Sequence, residues 1–202
     1  MTHDFLMALG EINIAIAVSV LTVILLRQMV RKFFGAQTAY ALWLLVPAAA
    51  LATLLPAQTI EITLDASSLG GAPPPVPVSA FDWEMALLAA WNAGALLVAF
   101  YLVRAQMRFH AVMRKGGAGP AVVGFLRPQI VTPATFFEQF STEEQIAIIA
   151  HEQVHLSRQD ARINALTALL RCLCWFNPLV HLGALALSAD QELSCDASVV
   201  ER

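Results

Sequence analysis

Three long apolar stretches constrain the fold of this chain more than any other feature of its sequence. Residues 38–55 and 85–103 contain no charged side chain, and residues 5–26 are broken only by Glu11 and Asn13. Each stretch has about the 20 residues that a helix needs to cross a hydrocarbon core of about 30 Å. With 58% hydrophobic and 13% charged residues, the chain is more apolar than a soluble domain. We therefore expect a mainly α-helical membrane protein with three N-terminal transmembrane helices.

The basic residues predict how these helices are oriented. Of the 12 Lys and Arg residues, none precedes Arg27 and none lies between residues 35 and 103. Because cytoplasmic loops are enriched in Lys and Arg, both basic clusters are expected in the cytoplasm and the N-terminus outside. The first stretch lacks the basic segment of a signal peptide, so we expect it to be retained. The clusters follow the first stretch (Arg27, Arg31 and Lys32) and the third (Arg104, Arg108, Arg114 and Lys115).

This topology divides the chain into five parts. Residues 1–34 and 35–56 are expected to hold the first two transmembrane helices. Residues 57–84 would form an extracytoplasmic loop rich in proline and glycine, and residues 85–103 the third transmembrane helix. The remainder, residues 104–202, is predicted to be a domain at the cytoplasmic face of the membrane.

The segment His151-Glu152-Gln153-Val154-His155 is the strongest chemical signal in this domain. On a helix, residues four apart share one face, so both imidazoles can reach one metal ion. Zinc lowers the pKa of water to about 7, and Glu152 can take the proton as that water attacks a carbonyl. The motif therefore predicts a Zn²⁺ site that hydrolyses peptide bonds, with Glu152 as general base. Two ordinary histidines on a solvated helix face are the alternative.

The sequence around the motif predicts a helix. Ser141 precedes Glu144 by three residues, which is the capping-box pattern at a helix start. Neither Gly nor Pro interrupts residues 141–164, so the two histidines are expected to lie well inside a helix.

A short β-hairpin is expected between the third apolar stretch and this helix. Residues 116–120 are a cluster of Gly and Pro, and residues 121–133 are short β-branched runs bounded by Gly and Pro. An edge strand beside a zinc helix can hold an extended peptide through its main chain. A purely structural ribbon over the helix is the alternative, and both roles are compatible.

A catalytic zinc site usually takes three protein ligands, so one more is needed. Glu192 and Asp196 are four residues apart, which lets one bind the metal while the other orients a ligand histidine. We choose Glu192 as the ligand and Asp196 as the orienting carboxylate. Asp160 is a further orienting candidate, although a solvated charge near the helix end is the interpretation that we slightly favour. The full set considered is Asp160, Cys172, Cys174, His181, Asp190, Glu192, Cys195 and Asp196.

The apolar segment between these ligands is predicted to be a helical hairpin. A single crossing over residues 161–187 would leave Glu192 one bilayer away from His151. Asn177-Pro178 divides the segment into arms of about 22 Å and 18 Å, too short to span the membrane comfortably. We therefore expect a membrane-embedded hairpin near residues 162–189 that returns Glu192 to the side of His151.

Four segments together resemble the BlaR/MecR-type membrane metallopeptidases, which are bacterial sensor-transducers and their relatives. They are HEQVHLSRQD, WFNPLV, DQELSCDASV and, upstream, GFLRPQIVTP, and they occur in the family's order. The resemblance implies a gluzincin-like zinc protease domain in the bacterial inner membrane. It implies that His151, His155 and Glu192 bind zinc, with Glu152 as general base and Asp196 behind a histidine.

The resemblance also implies partners and alternatives. It points to cleavage of a cytoplasmic protein such as a transcriptional repressor. We expect the protein itself to lie in a lipid bilayer and not to bind nucleic acid directly, and we leave open whether it forms a homodimer. Family sensor-transducers continue into an extracellular ligand-binding domain, whereas this sequence ends at Arg202 and contains no Ser-x-x-Lys motif. We therefore expect either a fragment or a protease core, without beta-lactam sensing. A housekeeping quality-control protease and a non-catalytic signalling protein are the competing functions.

Overall fold

The structure, a computed structural model, describes residues 2–55, 82–115 and 119–200. Most of the loop expected at residues 57–84 lies outside the described residues. The described chain is mainly helical, with one two-stranded antiparallel sheet. Its elements are α1 (Thr2–Phe34), α2 (Ala36–Ala41), α3 (Leu45–Ala52), α4 (Trp83–Arg114), β1 (Ala121–Val123), β2 (Gln129–Val131), α5 (Phe136–Gln139), α6 (Thr142–Arg158), α7 (Asp160–Leu173) and α8 (Pro178–Val200).

Among the residues that the structure describes, two helices are long and apolar enough to cross a membrane. Helices α1 and α4 contain 33 and 32 residues, and their most apolar windows have mean hydropathies of 2.2 and 1.9. Large apolar side chains of α4 are exposed, among them Leu96 at 70% and Leu97 at 69%. Such a surface is unfavourable in water and is compatible with lipid contact.

The second apolar stretch forms a shorter and less regular helix than expected. Its helical path runs over Ala36–Ala52, and a 3-10 turn at Leu42–Leu44 separates α2 from α3. Pro47 explains the irregularity, because its ring clashes with the carbonyl of Trp43 and it has no N–H to donate. At about 25 Å, this path is shorter than a usual membrane span.

Helix α6 begins as predicted but ends early. The capping box between Ser141 and Glu144 is confirmed, with both reciprocal hydrogen bonds present. The expectation that both histidines lie well inside the helix is wrong for His155, because Gln159 adopts the left-handed conformation (φ 60°) and α7 starts at Asp160. His155 therefore lies in the last turn of α6, while His151 lies one turn further inside.

Helices α7 and α8 form the helical hairpin that the sequence predicts. At the turn between them, the Asn177 amide accepts from the Leu179 N–H at 3.1 Å and donates to the Asn13 carbonyl of α1 at 3.3 Å. Helix α8 then continues without a break to Val200, so Glu192 and Asp196 lie on the second arm itself. This arm packs along α1 in a core shared with α3, formed by Ile16, Val20, Val23, Trp43, Val46, Cys174, Val180 and Leu187.

The hairpin turn is also held by α4. The Trp91 indole donates to the Leu173 carbonyl at 2.8 Å, and the Trp175 indole donates to the Trp91 carbonyl at 3.1 Å. Gly94 provides the space for this contact, because a Cβ there would overlap the Trp175 ring. A residue without a side chain is therefore required where α4 meets the turn.

Replacing Gly94 with Ala should lower the free energy of unfolding in detergent by about 1–3 kcal/mol, because the new methyl group overpacks the indole. Gly10→Ala is the matched control, since Gly10 is helical and has no atom within 4 Å of an added Cβ. That substitution should be neutral or stabilise by up to about 1 kcal/mol. Equal stability of the two variants in thermal unfolding would contradict the contact between α4 and the turn.

Candidate metal centre

Three side-chain atoms from α6 and α8 converge on one point. The Nε2 atoms of His151 and His155 are 3.1 Å apart. The Glu192 Oε2 atom lies 3.4 Å from Nε2 of His151 and 3.7 Å from Nε2 of His155. Ligands at about 2.0–2.2 Å from a tetrahedral zinc ion are about 3.3–3.5 Å from one another. The triangle formed by these atoms therefore has close to the size that one zinc ion requires.

Each histidine is oriented by a carboxylate on its other ring nitrogen. Nδ1 of His151 lies 3.2 Å from Asp196 Oδ1, and Nδ1 of His155 lies 2.7 Å from Asp160 Oδ2. His155 and Asp160 form a hydrogen bond, whereas His151 and Asp196 form a close contact of the ion-pair type. When Nδ1 carries the proton and bonds a carboxylate, Nε2 is the nitrogen available to a metal ion. Metal-binding histidines are commonly held in this way.

Asp160 is buried, so the expectation of a solvated charge at this position is wrong. Its exposed fraction is 3%, since the break at Gln159 turns the first residue of α7 back toward His155. Its Oδ1 accepts from the Tyr40 hydroxyl at 3.1 Å, and Arg158 Nε lies 3.6 Å away. The hydrogen bond that His155 donates to Asp160 raises the pKa of His155, although partial burial opposes the rise.

Glu152 lies beside the triangle and is half-buried. Burial raises the pKa of its carboxyl group, while the nearby His155 and His151 act in the opposite direction. The backbone N–H of Val122 on β1 also faces this carboxylate and favours its charged form. A carboxylate with a raised pKa is a better proton acceptor near neutral pH.

Cys195 forms a second candidate group with the two histidines. Ligand atoms of His151, His155 and Cys195 lie within 4.8 Å of one another. The thiol is fully buried and donates to the His151 carbonyl at 3.3 Å. Burial raises the pKa of this thiol to about 11 in the metal-free protein, and a bound metal ion would lower it. The two groups differ in spacing: Glu192 Oε2 lies within 3.7 Å of both Nε2 atoms, whereas the group with Cys195 spans up to 4.8 Å.

The other sequence candidates are engaged elsewhere. His181 contacts the Trp175 carbonyl at 2.9 Å and accepts from Arg171 at 3.3 Å, near the hairpin turn. It is therefore a partly buried histidine with satisfied hydrogen bonds. Cys174 packs in the core, and Cys172 is a free, partly buried thiol.

Asp190 is held by α1 and by the turn before α3. Its Oδ1 lies 3.0 Å from Arg27, and its Oδ2 accepts from the Trp43 indole at 2.9 Å. With an exposed fraction of 1%, it is a structural anion and not a metal ligand. The basic residues of the sequence indicate only a topological role for Arg27. Arg27, Tyr40 and Trp43 lie more than 100 residues before the motif, so no local pattern links them to it. Arg158 closely follows the motif, but its position in the sequence does not show what it contacts.

A cavity of about 430 Å³ opens beside His151. Helix α6 lines it with Ala147 and Ile148, and α8 lines it with Val199 and Val200. His151 and Asp196 form its polar edge, so the cavity places an apolar wall next to the three converging atoms.

Helices α1 and α4 are consistent with a membrane protein, and α6 and α8 bring together side chains that could hold a metal ion. The chain belongs to the BlaR1 peptidase M56 family, whose model matches residues 7–119 and 112–202. Regulatory protein BlaR1 of Bacillus licheniformis is 32% identical over 114 residues, which are 54% of this chain and 19% of that protein. The methicillin resistance mecR1 proteins of Staphylococcus aureus and Staphylococcus epidermidis are 32% identical over 82 residues, 41% of this chain and 14% of each relative. The matched region thus spans less than a fifth of the length of these relatives.

Proposed function

We propose that this chain is a zinc endopeptidase of the bacterial inner membrane that cuts a cytoplasmic regulatory protein. The observation that carries the proposal is the convergence of His151, His155 and Glu192 on one zinc-sized position. Carboxylates beside both histidines support it, since Asp160 bonds Nδ1 of His155 and Asp196 lies 3.2 Å from Nδ1 of His151. The arrangement is gluzincin-like in its ligand set.

The donor set fits zinc, since two imidazoles and one carboxylate leave the open position of a catalytic site. Zinc supplies a Lewis acid for the scissile carbonyl and activates the attacking water. The chain contributes the proton transfers: Glu152 accepts the proton of the water at its carboxylate and delivers it to the leaving amine. The half-buried position of Glu152, beside both histidines, supports this role.

The β-hairpin supports binding of an extended substrate. Strands β1 and β2 pair antiparallel, with Val122 opposite Ile130, and both contact α6. Because the Val122 N–H faces Glu152, the edge of β1 borders the catalytic carboxylate. An edge strand in this position can pair with the main chain of a peptide.

The basic end of α1 supports a cytoplasmic active site. Arg27 and Arg31 lie 3.0 Å and 3.9 Å from Asp190, two residues before Glu192 on α8. The hairpin turn contacts Asn13, about 21 Å further along α1. By the positive-inside rule, the metal centre is then at the cytoplasmic end and the turn is within the bilayer. The substrate would accordingly be a cytoplasmic protein, and a transcriptional repressor fits the name of one relative, Regulatory protein BlaR1.

The test is protein turnover in cells whose own copy carries Glu152→Gln. We expect one or a few cytoplasmic proteins, including a DNA-binding repressor, to have lifetimes at least several-fold longer than in wild-type cells. Glu143→Gln is the control, since Glu143 is exposed in the first turn of the same helix. Accumulation of many misfolded membrane proteins would instead assign the chain to quality control, and an unchanged proteome would contradict a peptidase role.

A further inference from the structure

Tyr40 on α2 contacts both halves of the metal centre. Its hydroxyl donates to Asp160 Oδ1 at 3.1 Å and accepts from the Gln191 amide of α8 at 3.3 Å. The Arg158 guanidinium at the end of α6 lies over its ring, 4.2 Å from the centroid. One side chain of the second apolar segment is therefore packed between the ends of α6, α7 and α8.

The contact continues to a metal-binding ring. Asp160 uses Oδ1 for Tyr40 and Oδ2 for Nδ1 of His155, at 2.7 Å. A buried carboxylate whose first oxygen is hydrogen-bonded cannot rotate freely about its own bond. The Tyr40 hydroxyl therefore fixes the plane of the Asp160 carboxylate, and this plane sets the direction in which Oδ2 meets the His155 ring. The Arg158 guanidinium also contacts this carboxylate, with Nε 3.6 Å from Asp160 Oδ1. The result is a continuous line of polar contacts from α2 to Nε2 of His155.

We propose that Tyr40 is a positioning residue for the metal centre, acting through Asp160 on His155. The proposal rests on the metal site of the proposed function. It makes metal affinity depend on the position of α2, which belongs to the membrane-proximal part of the chain and not to the domain that carries the motif. A displacement of α2 relative to α7 would break the hydroxyl contact and release the His155 ring.

The position of α2 is defined by contacts at both of its ends. Gly35, in the left-handed region at φ 87°, separates it from α1. Gln37 donates to Ser198 of α8 at 3.3 Å, and Ala39 is buried. Because α2 packs against α8 as well as α1, a movement of the N-terminal helices is transmitted to the residues around Asp160 and Gln191.

The test is the Zn²⁺ affinity of the full purified chain, measured by competition with a chromophoric chelator. Tyr40→Phe keeps the ring beneath Arg158 but removes the hydroxyl, and should weaken zinc binding about three- to tenfold, as the loss of one hydrogen bond does. Asp160→Asn should weaken it about 10- to 100-fold. The double variant should be no weaker than Asp160→Asn alone, because Tyr40 acts through that carboxylate. Tyr101→Phe is the control, since Tyr101 is 66% exposed on α4.

The visible spectrum of bound Co²⁺ provides a readout that a purely structural role of Tyr40 would not change. We expect Tyr40→Phe to alter the spectrum and Tyr101→Phe to leave it as in the wild type. Unchanged affinity and spectrum for Tyr40→Phe, or losses that multiply in the double variant, would overturn the proposal. If Tyr40→Phe also lowers the stability of the metal-free protein, the double-variant comparison still decides.

The failure of this proposal and that of the proposed function are distinguishable. A wild-type chain that binds no zinc overturns both. A chain that binds zinc equally well with Tyr40 or Phe overturns only the positioning role. A chain that binds zinc in the Tyr40-dependent way but cleaves no protein overturns only the peptidase function.

Discussion

Replacing Glu152 with Gln is expected to lower peptidase turnover by about 10²- to 10⁴-fold, the usual contribution of a general acid–base residue. The amide has nearly the same shape as the carboxylate but does not accept a proton at neutral pH. Glu152 contributes none of the three converging atoms, so the zinc content of Glu152→Gln should stay near that of the wild type. The measurements are cleavage of a fluorogenic peptide library and metal analysis of the same purified sample.

Glu143→Gln provides the matched control for this experiment. It makes the same chemical change on the same helix, at an exposed residue two turns before His151. Its turnover should differ from that of the wild type by less than about threefold, consistent with the small effects of most surface substitutions. Turnover of Glu152→Gln that equals that of Glu143→Gln would remove Glu152 from the mechanism.

The features that the sequence predicts correctly are the local ones. Residues 5–26 and 85–103 fall within α1 and α4, because a continuous apolar run is by itself enough to indicate a long helix. The capping box at Ser141 and the β-hairpin are likewise defined by neighbouring residues. The second apolar stretch is predicted less well. Pro47 is visible in the sequence, but whether it breaks the helix depends on where that helix starts.

The features that the sequence does not predict depend on distant contacts. Gln159 ends α6 in a left-handed conformation, although it is neither Gly nor Pro. This turn brings Asp160 into hydrogen-bond contact with His155, a contact that the local sequence does not reveal. The burial of Asp160 further depends on Tyr40, 120 residues away along the chain. No periodicity links such residues, so they emerge only when α2 is packed against α7 and α8.

The position of α8 along α1 is fixed by a buried polar cluster and by a close contact. Asp190 is held by Arg27 and Trp43, two residues before Glu192. Further along α8, Gly183 faces Val20, and a Cβ there would lie 2.8 Å from that side chain. A shift of α8 along α1 would separate the buried Asp190 carboxylate from Arg27 and Trp43, which is costly. The contacts therefore favour the register in which Glu192 and Asp196 lie beside His151.

Replacing Glu192 with Ala is expected to reduce zinc affinity by more than about 100-fold, beyond the loss caused when only an outer partner of a ligand is removed. Two histidines then remain, and turnover should disappear with the metal. Cys195→Ser should keep zinc content close to that of the wild type, because the buried neutral thiol is bonded to the His151 carbonyl and a hydroxyl can replace it. Metal analysis after dialysis against a weak chelator distinguishes the two variants.

The comparison of these two variants decides between the two candidate ligand sets. Glu192 lies 3.4 Å and 3.7 Å from the two Nε2 atoms, whereas the group with Cys195 spans up to 4.8 Å. Glu192 also reaches the site from the exposed side, since 59% of its side chain is exposed. Glu143→Ala, which removes an exposed carboxylate from α6, should bind zinc as the wild type does. Loss of zinc from Cys195→Ser with retention by Glu192→Ala would show that the thiol is the third ligand.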